Sequence, residues 1–100
     1  MRWIAFFSDT PDMMDIRKER QNLHFDYLKK HESEILIAGG CREVPGGTFV
    51  GGLWVLEVSS KERAVELIEN DPYFVPSCRS YQSLTATQTP PPLATSNSPT

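Results

Sequence analysis

Apolar and polar positions along the chain divide it into four predicted strands and two predicted helices. Four segments are rich in aromatic and β-branched residues and are bounded by turn residues, which is typical of strands: residues 2–8, 34–44, 48–58 and 78–84. The turn Pro45-Gly46-Gly47 joins the second and third of these segments into a predicted hairpin. Helical spacing of apolar residues predicts the two helices between the strands.

The first predicted helix begins after Thr10, which we expect to be its N-cap, with Pro11 at the first helical position. It is expected to run to about His31. Its predicted apolar face consists of Met13, Ile16, Leu23 and Tyr27, with Leu28 at the edge.

The second predicted helix begins at Ser59, because Ser59 and Glu62 have the spacing of a capping box. Asn70 is expected to end it, since asparagine tolerates the left-handed conformation that often follows a helix. Its apolar residues are Ala64, Val65, Leu67 and Ile68.

The order strand, helix, strand, strand, helix, strand predicts an α+β fold. With right-handed crossovers, its compact form is a ferredoxin-like four-stranded antiparallel sheet with both helices on one face. The second and fourth strands are then opposite edges of the sheet. Cys41 and Cys78 are therefore expected to lie too far apart for a disulfide within one chain.

Two predicted strands are apolar on both faces, although two helices can cover only one face. In the first, Trp3, Ala5 and Phe7 alternate with Ile4 and Phe6; in the third, Phe49, Leu53 and Val55 are expected opposite Val50, Trp54, Leu56 and Val58. A second copy of the chain is the simplest cover for the open face, which predicts a homodimer packed sheet against sheet. The alternative cover is the C-terminal tail, or long side chains from the edges of the sheet.

Composition excludes several classes of function. A formal net charge of −3 and an isoelectric point near 5.3 give no basic surface for nucleic acid. No apolar run could span a membrane and no signal peptide is visible, so a cytoplasmic protein is predicted. The two cysteines match neither a disulfide scaffold nor a zinc site, so we expect free thiols, no metal and no cofactor.

The C-terminal end has a composition of its own. No charged residue follows Arg79, and from Thr85 onward the sequence is mostly Thr, Pro, Ser, Ala and Asn. Such a segment has too little apolar surface to offset its ordering entropy. One folded domain, residues 1–84, and a mobile tail, residues 85–100, are predicted.

The first helix carries the first group of candidate functional residues. His24, Arg20 and Arg17 lie on or beside its apolar face, at spacings that make them neighbours on one stripe. Such a group could bind an anion and move a proton near neutral pH. Alternatively, the arginines bury only their stems and the histidine is satisfied by a structural hydrogen bond.

Glycine and aspartate give two further signals. Gly39-Gly40 and Gly51-Gly52 interrupt strands, which indicates either close approach by a ligand or backbone, or a β-bulge that bends the sheet. Asp71 precedes Pro72 after the second helix; by its chemistry alone this is a turn.

Four motifs in order resemble the YCII (YciI-like) family: His24-Phe25-Asp26-Tyr27-Leu28, Ala38-Gly39-Gly40, residues 50–64 and Asn70-Asp71-Pro72-Tyr73-Phe74. The resemblance covers residues 1–84. It implies a ferredoxin-like protomer in a dimeric α+β barrel, with a site centred on a His–Asp pair, here His24 and Asp71. It also implies small-molecule chemistry, which in the family includes removal of chloride from hydroxylated rings in aromatic degradation.

The sequence departs from the family at three positions. Gln21 stands where the family usually has arginine, so Arg20 is the nearest substitute; Gly40 replaces a proline, and Gly52 replaces a serine. The resulting hypothesis is a lyase, isomerase or dehalogenase-like enzyme acting on a small cyclic or phenolic substrate. His24 would transfer the proton, Asp71 would orient it, Arg20 or Arg17 would hold the substrate's oxygen, and Gly39, Gly40, Gly51 and Gly52 would leave room. The alternative is a non-catalytic dimeric module that binds a small ligand or a partner.

Overall fold

The computed structural model describes residues 1–87, which form four strands and two helices in the predicted order. The elements are β1 (Arg2–Asp9), α1 (Met13–Lys30), β2 (Ile35–Arg42), β3 (Phe49–Glu57), α2 (Lys61–Glu69) and β4 (Arg79–Thr85). The predicted tail, residues 85–100, lies outside the described residues except for its first three. Of these, Thr85 ends β4 and the N–H of Ala86 donates to the carbonyl oxygen of Arg2.

The strands form one antiparallel sheet in the order β2-β3-β1-β4. This confirms the ferredoxin-like α+β protomer. Cys41 lies on one edge strand and Cys78 directly precedes the other, and both are free thiols. Within residues 1–87, no helix is both long enough and apolar enough to cross a membrane.

Both helices pack on the same face of the sheet and enclose the hydrophobic core. Alternate residues of β1 and β3, together with Ile35 of β2 and Val58 directly after β3, supply the sheet side of the core, and α2 supplies most of the helix side. These core residues are Trp3, Ala5, Phe7, Ile35, Trp54, Leu56, Val58, Ala64, Leu67 and Ile68. Tyr27 and Leu28 of α1 pack against this cluster from its margin. The strand alternation read from the sequence is therefore the one that forms the core.

The helix ends differ from the predictions by one or two residues. The N-cap of α1 is Asp12 rather than Thr10, because the N–H of Thr10 donates to the carbonyl oxygen of Cys78 and a tighter turn precedes the helix. For α2 the N-cap is Ser60, whose Oγ accepts from the backbone N–H of Arg63 at 3.1 Å.

Asn70 does end α2, but in the right-handed region, with φ of −93°. The predicted left-handed cap was wrong. The side-chain Nδ2 of Asn70 donates to the carbonyl oxygen of Glu66 at 2.8 Å, so the side chain itself satisfies one of the last carbonyls of the helix.

The buried stripe of α1 also differs from the prediction. Leu23 is 60% exposed, whereas its neighbour His24 is only 7% exposed. The inward stripe passes through Met13 and His24, and Leu23 lies one residue, or about 100°, away from His24 around the helix. His24 therefore occupies the buried position on α1 that the sequence pattern assigned to Leu23.

A β-bulge in β3 reverses the predicted faces of Phe49 and Val50. Cys41 pairs with Gly51 and Arg42 with Phe49, so one extra residue, Val50, is inserted in β3. The bulge turns Phe49 to the helix side of the sheet, where its ring lies 4.3 Å from the guanidinium carbon of Arg17. Val50 is left 43% exposed.

The sheet face opposite the helices carries a continuous apolar patch, which we call the open-face patch. It consists of Ile4, Phe6, Ile37, Leu53, Val55 and Leu84. Ile4 is paired with Val55 on one side and with Leu84 on the other, so the patch crosses the sheet without a break. Phe6, at 46% exposure, is among its most exposed members.

Candidate active site

His24 and Asp71 lie side by side in the interior. Nδ1 of His24 is 2.7 Å from Oδ1 of Asp71, and the two residues are 7% and 4% exposed. An ionised carboxylate can only accept hydrogen bonds. We therefore assign the proton to Nδ1 of His24, which donates a hydrogen bond to Oδ1 of Asp71. Among the described residues, Nε2 of His24 has no hydrogen-bond partner, which leaves this nitrogen available to a ligand.

The loop after α2 holds Asp71 in place. Oδ1 of Asp71 also accepts from the backbone N–H of Tyr73 at 3.2 Å, which is an Asx turn. The carbonyl oxygen of Asp71 accepts from the N–H of Phe74 at 2.8 Å. The turn predicted from Asp71-Pro72 is therefore present, and the same carboxylate that forms it also binds His24.

Tyr73 covers one face of the histidine. The two rings are parallel within 8°, with their centroids 3.7 Å apart. The hydroxyl of Tyr73 donates to the backbone carbonyl oxygen of Arg17 at 3.3 Å. Burial raises the pKa of Tyr73, partly opposed by the nearby guanidinium of Arg17, so the phenol stays neutral and keeps its hydrogen bond.

A buried ion cluster lies next to this pair. Asp9, at the end of β1, accepts from Nε and Nη2 of Arg79 at 2.7 and 3.0 Å, and from Nη2 of Arg17 at 3.2 Å. Arg17 also donates to the carbonyl oxygen of Gly51 at the bulge. Two guanidinium groups share one carboxylate, so the cluster has an excess positive charge.

Arg20 has a different place from Arg17. Its Nη1 donates to the carbonyl oxygen of Pro72 at 3.1 Å, so it ties α1 to the loop that carries Asp71. Arg20 does not line the cavity beside His24, whereas Arg17 and Gln21 do.

A cavity of about 300 Å³ opens beside His24 between α1 and the sheet. Its lining is partly aromatic and partly cationic: Met14, Arg17, Lys18, Gln21, His24, Phe25, Leu28, Ala38, Gly39, Gly40, Phe49, Tyr73 and Arg79. No carboxylate is among these residues. The cavity therefore suits a small anion or a polarised ring rather than a cation.

The four strand glycines fall into two groups. Gly39 and Gly40 line the cavity, whereas Gly51 and Gly52 are buried and do not. At Gly51 a Cβ would lie 2.0 Å from the carbonyl oxygen of Phe7, and at Gly52 a Cβ would lie 3.1 Å from that of Gly39. Close backbone approach at the bulge, not ligand space, accounts for Gly51 and Gly52.

Sequence reasoning missed several residues that shape the site. Tyr73 belongs to the motif at residues 70–74, but nothing in the sequence pattern predicted that its ring packs on His24. Asp9 and Arg79 are 70 residues apart and meet only because β1 pairs with β4. Phe49 was assigned to the other face. Within residues 1–87, no group of three or more potential ligand side chains could hold a metal ion.

The comparisons with known proteins place the chain in a family. A family model described as the YCII-related domain matches residues 1–83. None of the curated proteins compared with the chain matches it.

Among solved structures, the chain is similar to 5-chloro-2-hydroxyhydroquinone dehydrochlorinase (TftG) from Burkholderia phenoliruptrix AC1100, in complex with 2,5-dihydroxybenzoquinone. The TM-score is 0.77 over 89% of this chain and 96% of that chain, with 19% sequence identity. At this identity the likeness shows a shared fold.

Proposed function

The chain belongs to the YCII-related domain family, and we propose that it is an enzyme that transfers a proton on a small anionic or phenolic ring. One observation carries the proposal: a buried carboxylate holds Nδ1 of His24 at 2.7 Å, while His24 lines the cavity and its Nε2 has no partner among the described residues. This is the arrangement that a histidine general base needs.

His24 and Asp71 have separate roles in this mechanism. Nε2 of His24 takes a proton from a hydroxyl group of the substrate ring. Asp71 stabilises the imidazolium that forms and fixes the orientation of the imidazole. Tyr73 limits rotation of the imidazole from the side. Because the pair is buried, its electrostatic interaction is stronger than the same interaction in water.

Arg17 and Arg79 hold the oxygen that becomes negative. Both line the cavity, and Asp9 balances only one of their two charges. An anionic oxygen would complete the charge balance of this cluster. Arg20, which the sequence offered as an alternative to Arg17, positions the loop of Asp71 instead. Gly39 and Gly40, which have no side chains, leave space for the substrate ring above β2.

The electrons released by deprotonation determine the class of reaction. As the ring O–H proton moves to His24, the oxygen's electron pair forms a C=O bond and moves charge into the ring. On a ring that carries chloride, the chlorine-bearing carbon first takes up this proton and becomes tetrahedral. His24 then removes the proton of a second ring hydroxyl, whose electron pair forms a second C=O bond as chloride leaves, so the products are a quinone, chloride and a proton that His24 returns to solvent. On a ring without a leaving group, a ring carbon takes up the proton, which is an isomerisation. TftG, the similar structure, is named a dehydrochlorinase, which supports testing chlorinated rings first.

The proposed enzyme is a homodimer that forms through the open-face patch. Six apolar side chains lie together on that face of the sheet, and the helices cover only the other face. A second copy would bury the patch sheet against sheet.

Turnover of a panel of chlorinated and unchlorinated hydroxylated rings tests the proposal, with chloride release and ultraviolet absorbance as readouts. Once a substrate is found, His24→Gln and Asp71→Asn are expected to lower kcat/KM by about a hundredfold or more. His31→Gln, which changes the histidine at the end of α1, is the matched control and should leave kcat/KM unchanged.

The alternative is a module that binds a ligand without reaction, because the cationic lining of the cavity could bind an anion without any proton transfer by His24. Binding of a panel member at the cavity without turnover of any ring would support that alternative. Full turnover by the His24 and Asp71 variants would contradict the proposed mechanism.

A further inference from the structure

Phe49 reaches the cavity only because of the bulge in β3. The inserted residue, Val50, turns the Phe49 ring to the helix side, next to Arg17. The guanidinium carbon of Arg42 lies 4.2 Å from the ring centroid and that of Arg17 lies 4.3 Å from it. Two cation–π contacts therefore fix the position of this ring.

Phe49 separates the cavity from a second hollow. Phe49 and Gly40 line both the cavity beside His24 and a shallower hollow near the hairpin, which Arg42 and Pro45 also line. Truncation of the ring would join the two spaces. The Phe49 ring is thus the wall at the hairpin end of the cavity.

Gly40 is the residue that makes room for this wall. A Cβ at Gly40 would lie 2.4 and 2.5 Å from two carbons of the Phe49 ring, which no real contact tolerates. A Cβ at the adjacent Gly39 would meet nothing within 4 Å. Any side chain at position 40 must therefore displace the Phe49 ring, whereas a methyl group at position 39 need not.

We propose that Phe49 determines the specificity of the site by limiting its ligand to a single ring, and that Gly40 is required for Phe49 to do so. The inference rests on the proposed function, because it takes the cavity as the ligand site. A volume of about 300 Å³ lies at the lower end for ligand pockets. With the hairpin end closed by Phe49, a fused second ring has no place to extend.

Calorimetric or NMR titration with two planar monoanions of different size, benzoate and 2-naphthoate, tests the proposed size limit of the cavity. The wild-type chain is expected to bind benzoate more tightly, even though 2-naphthoate has more apolar surface to bury. In Phe49→Ala the ratio of the two affinities should shift toward 2-naphthoate by about tenfold or more. Gly40→Ala should shift this ratio in the same direction. The control Ser80→Ala, at an exposed residue of β4 that does not line the cavity, should leave the ratio unchanged.

A double-mutant cycle on unfolding free energy tests the link between the two residues without any ligand. Gly40→Ala should destabilise the wild-type chain more than it destabilises Phe49→Ala, where the collision is absent. Phe49→Leu serves as a second variant that keeps apolar bulk at the position. It is expected to shift the affinity ratio less than Phe49→Ala does.

The outcomes separate this inference from the proposed function. Binding of both anions with a ratio that Phe49→Ala and Phe49→Leu leave unchanged would overturn the role of Phe49 alone. Additive effects in the cycle would overturn the role of Gly40. No binding of either anion would overturn the specificity assignment together with the anion site on which it rests.

Discussion

The phenol ring of Tyr73 lies parallel to the imidazole of His24, with 3.7 Å between the ring centroids. Tyr73 also donates its backbone N–H to Asp71, the partner of that imidazole. One residue therefore contacts both members of the proposed proton-transfer pair. This makes Tyr73 a positioning residue for the site.

Tyr73→Leu should disturb the pair while Tyr73→Phe should preserve it. Leucine keeps the backbone N–H but removes the parallel ring, so the imidazole gains freedom to turn away from Asp71. The nitrogen-15 shifts of His24 report which ring nitrogen carries the proton. We expect a clear Nδ1–H state in the wild-type chain and in Tyr73→Phe, and a mixture in Tyr73→Leu. Equal spectra for the two variants would show that the stacking has no positioning role.

Asp9→Asn should destabilise the fold strongly. The change removes the charge that Arg17 and Arg79 share, and leaves two guanidinium groups near the core without a counter-ion. Breaking a buried ion pair in this way costs about 3–5 kcal/mol of unfolding free energy. Urea denaturation measures the loss. Asp12→Asn, at an exposed aspartate without a side-chain cap, is the control and should change stability by less than about 0.5 kcal/mol.

Gly51→Ala should also be costly, because its Cβ would lie 2.0 Å from the backbone oxygen of Phe7. Backbone cannot yield as a side chain can, so we expect a loss of about 2 kcal/mol or more in unfolding free energy. Gly39→Ala, with open space around its Cβ, gives the comparison. Equal stabilities of the two variants would contradict the close packing at the bulge.

How far the sequence predicts this structure depends on the distance over which each contact acts. Strand alternation in β1 and β3, and the order of the six elements, are local patterns that gave the fold correctly. The faces of Phe49 and Val50 were wrong because a bulge shifts the alternation and leaves no clear trace besides Gly51-Gly52. The prediction that Leu23 is buried was wrong because His24 takes the buried position, and the carboxylate that stabilises His24 there lies 47 residues away in the sequence.

The site was predictable only in part for the same reason. The family resemblance named His24 and Asp71, and helical spacing drew attention to Arg17. Nothing local connects Asp9 with Arg79, or Gly40 with Phe49. Those relations arise from strand pairing and from the bulge.

Phe6→Asp should abolish the proposed homodimer. A charge in the open-face patch would have to be desolvated on sheet-to-sheet packing, which is unfavourable without a partner. Light scattering after size-exclusion chromatography should give one chain mass for the variant and two for the wild-type chain. Leu23→Asp, on the exposed side of α1, is the control and should stay dimeric. A monomeric wild-type chain would contradict the proposed assembly.

The free energy of unfolding should decrease at alkaline pH, in part because Tyr27 loses its phenol proton. Burial raises the pKa of Tyr27 to about 12, and its hydroxyl donates to the carbonyl oxygen of Leu67 at 2.6 Å. Because the unfolded chain loses this proton near pH 10, the contribution of the neutral phenol is complete below pH 10 and is lost as the pH rises toward 12.

Tyr27→Phe has no such proton, so it isolates this effect. At pH 8 the wild-type chain should be the more stable by about 1 kcal/mol, through the hydrogen bond to Leu67. Urea denaturation at pH 8, 10 and 11 should show that this advantage shrinks with rising pH. Tyr81, whose pKa is also raised to about 12, is unchanged in both chains and cancels from the difference. A constant difference across the series would contradict the assignment.

The His24–Asp71 contact has a consequence for when the proposed site forms during folding. One partner comes from the helix of the first β-α-β half and the other from the loop after the helix of the second half. Neither half contains the pair, so a fragment of the chain, or an intermediate with one half docked, is expected to be inert. The contact spans 47 of the 87 residues that the structure describes, so it forms only when distant parts of the chain meet. Recovery of the pair during refolding should therefore coincide with the last cooperative step, and its appearance can serve as a reporter that both halves have closed.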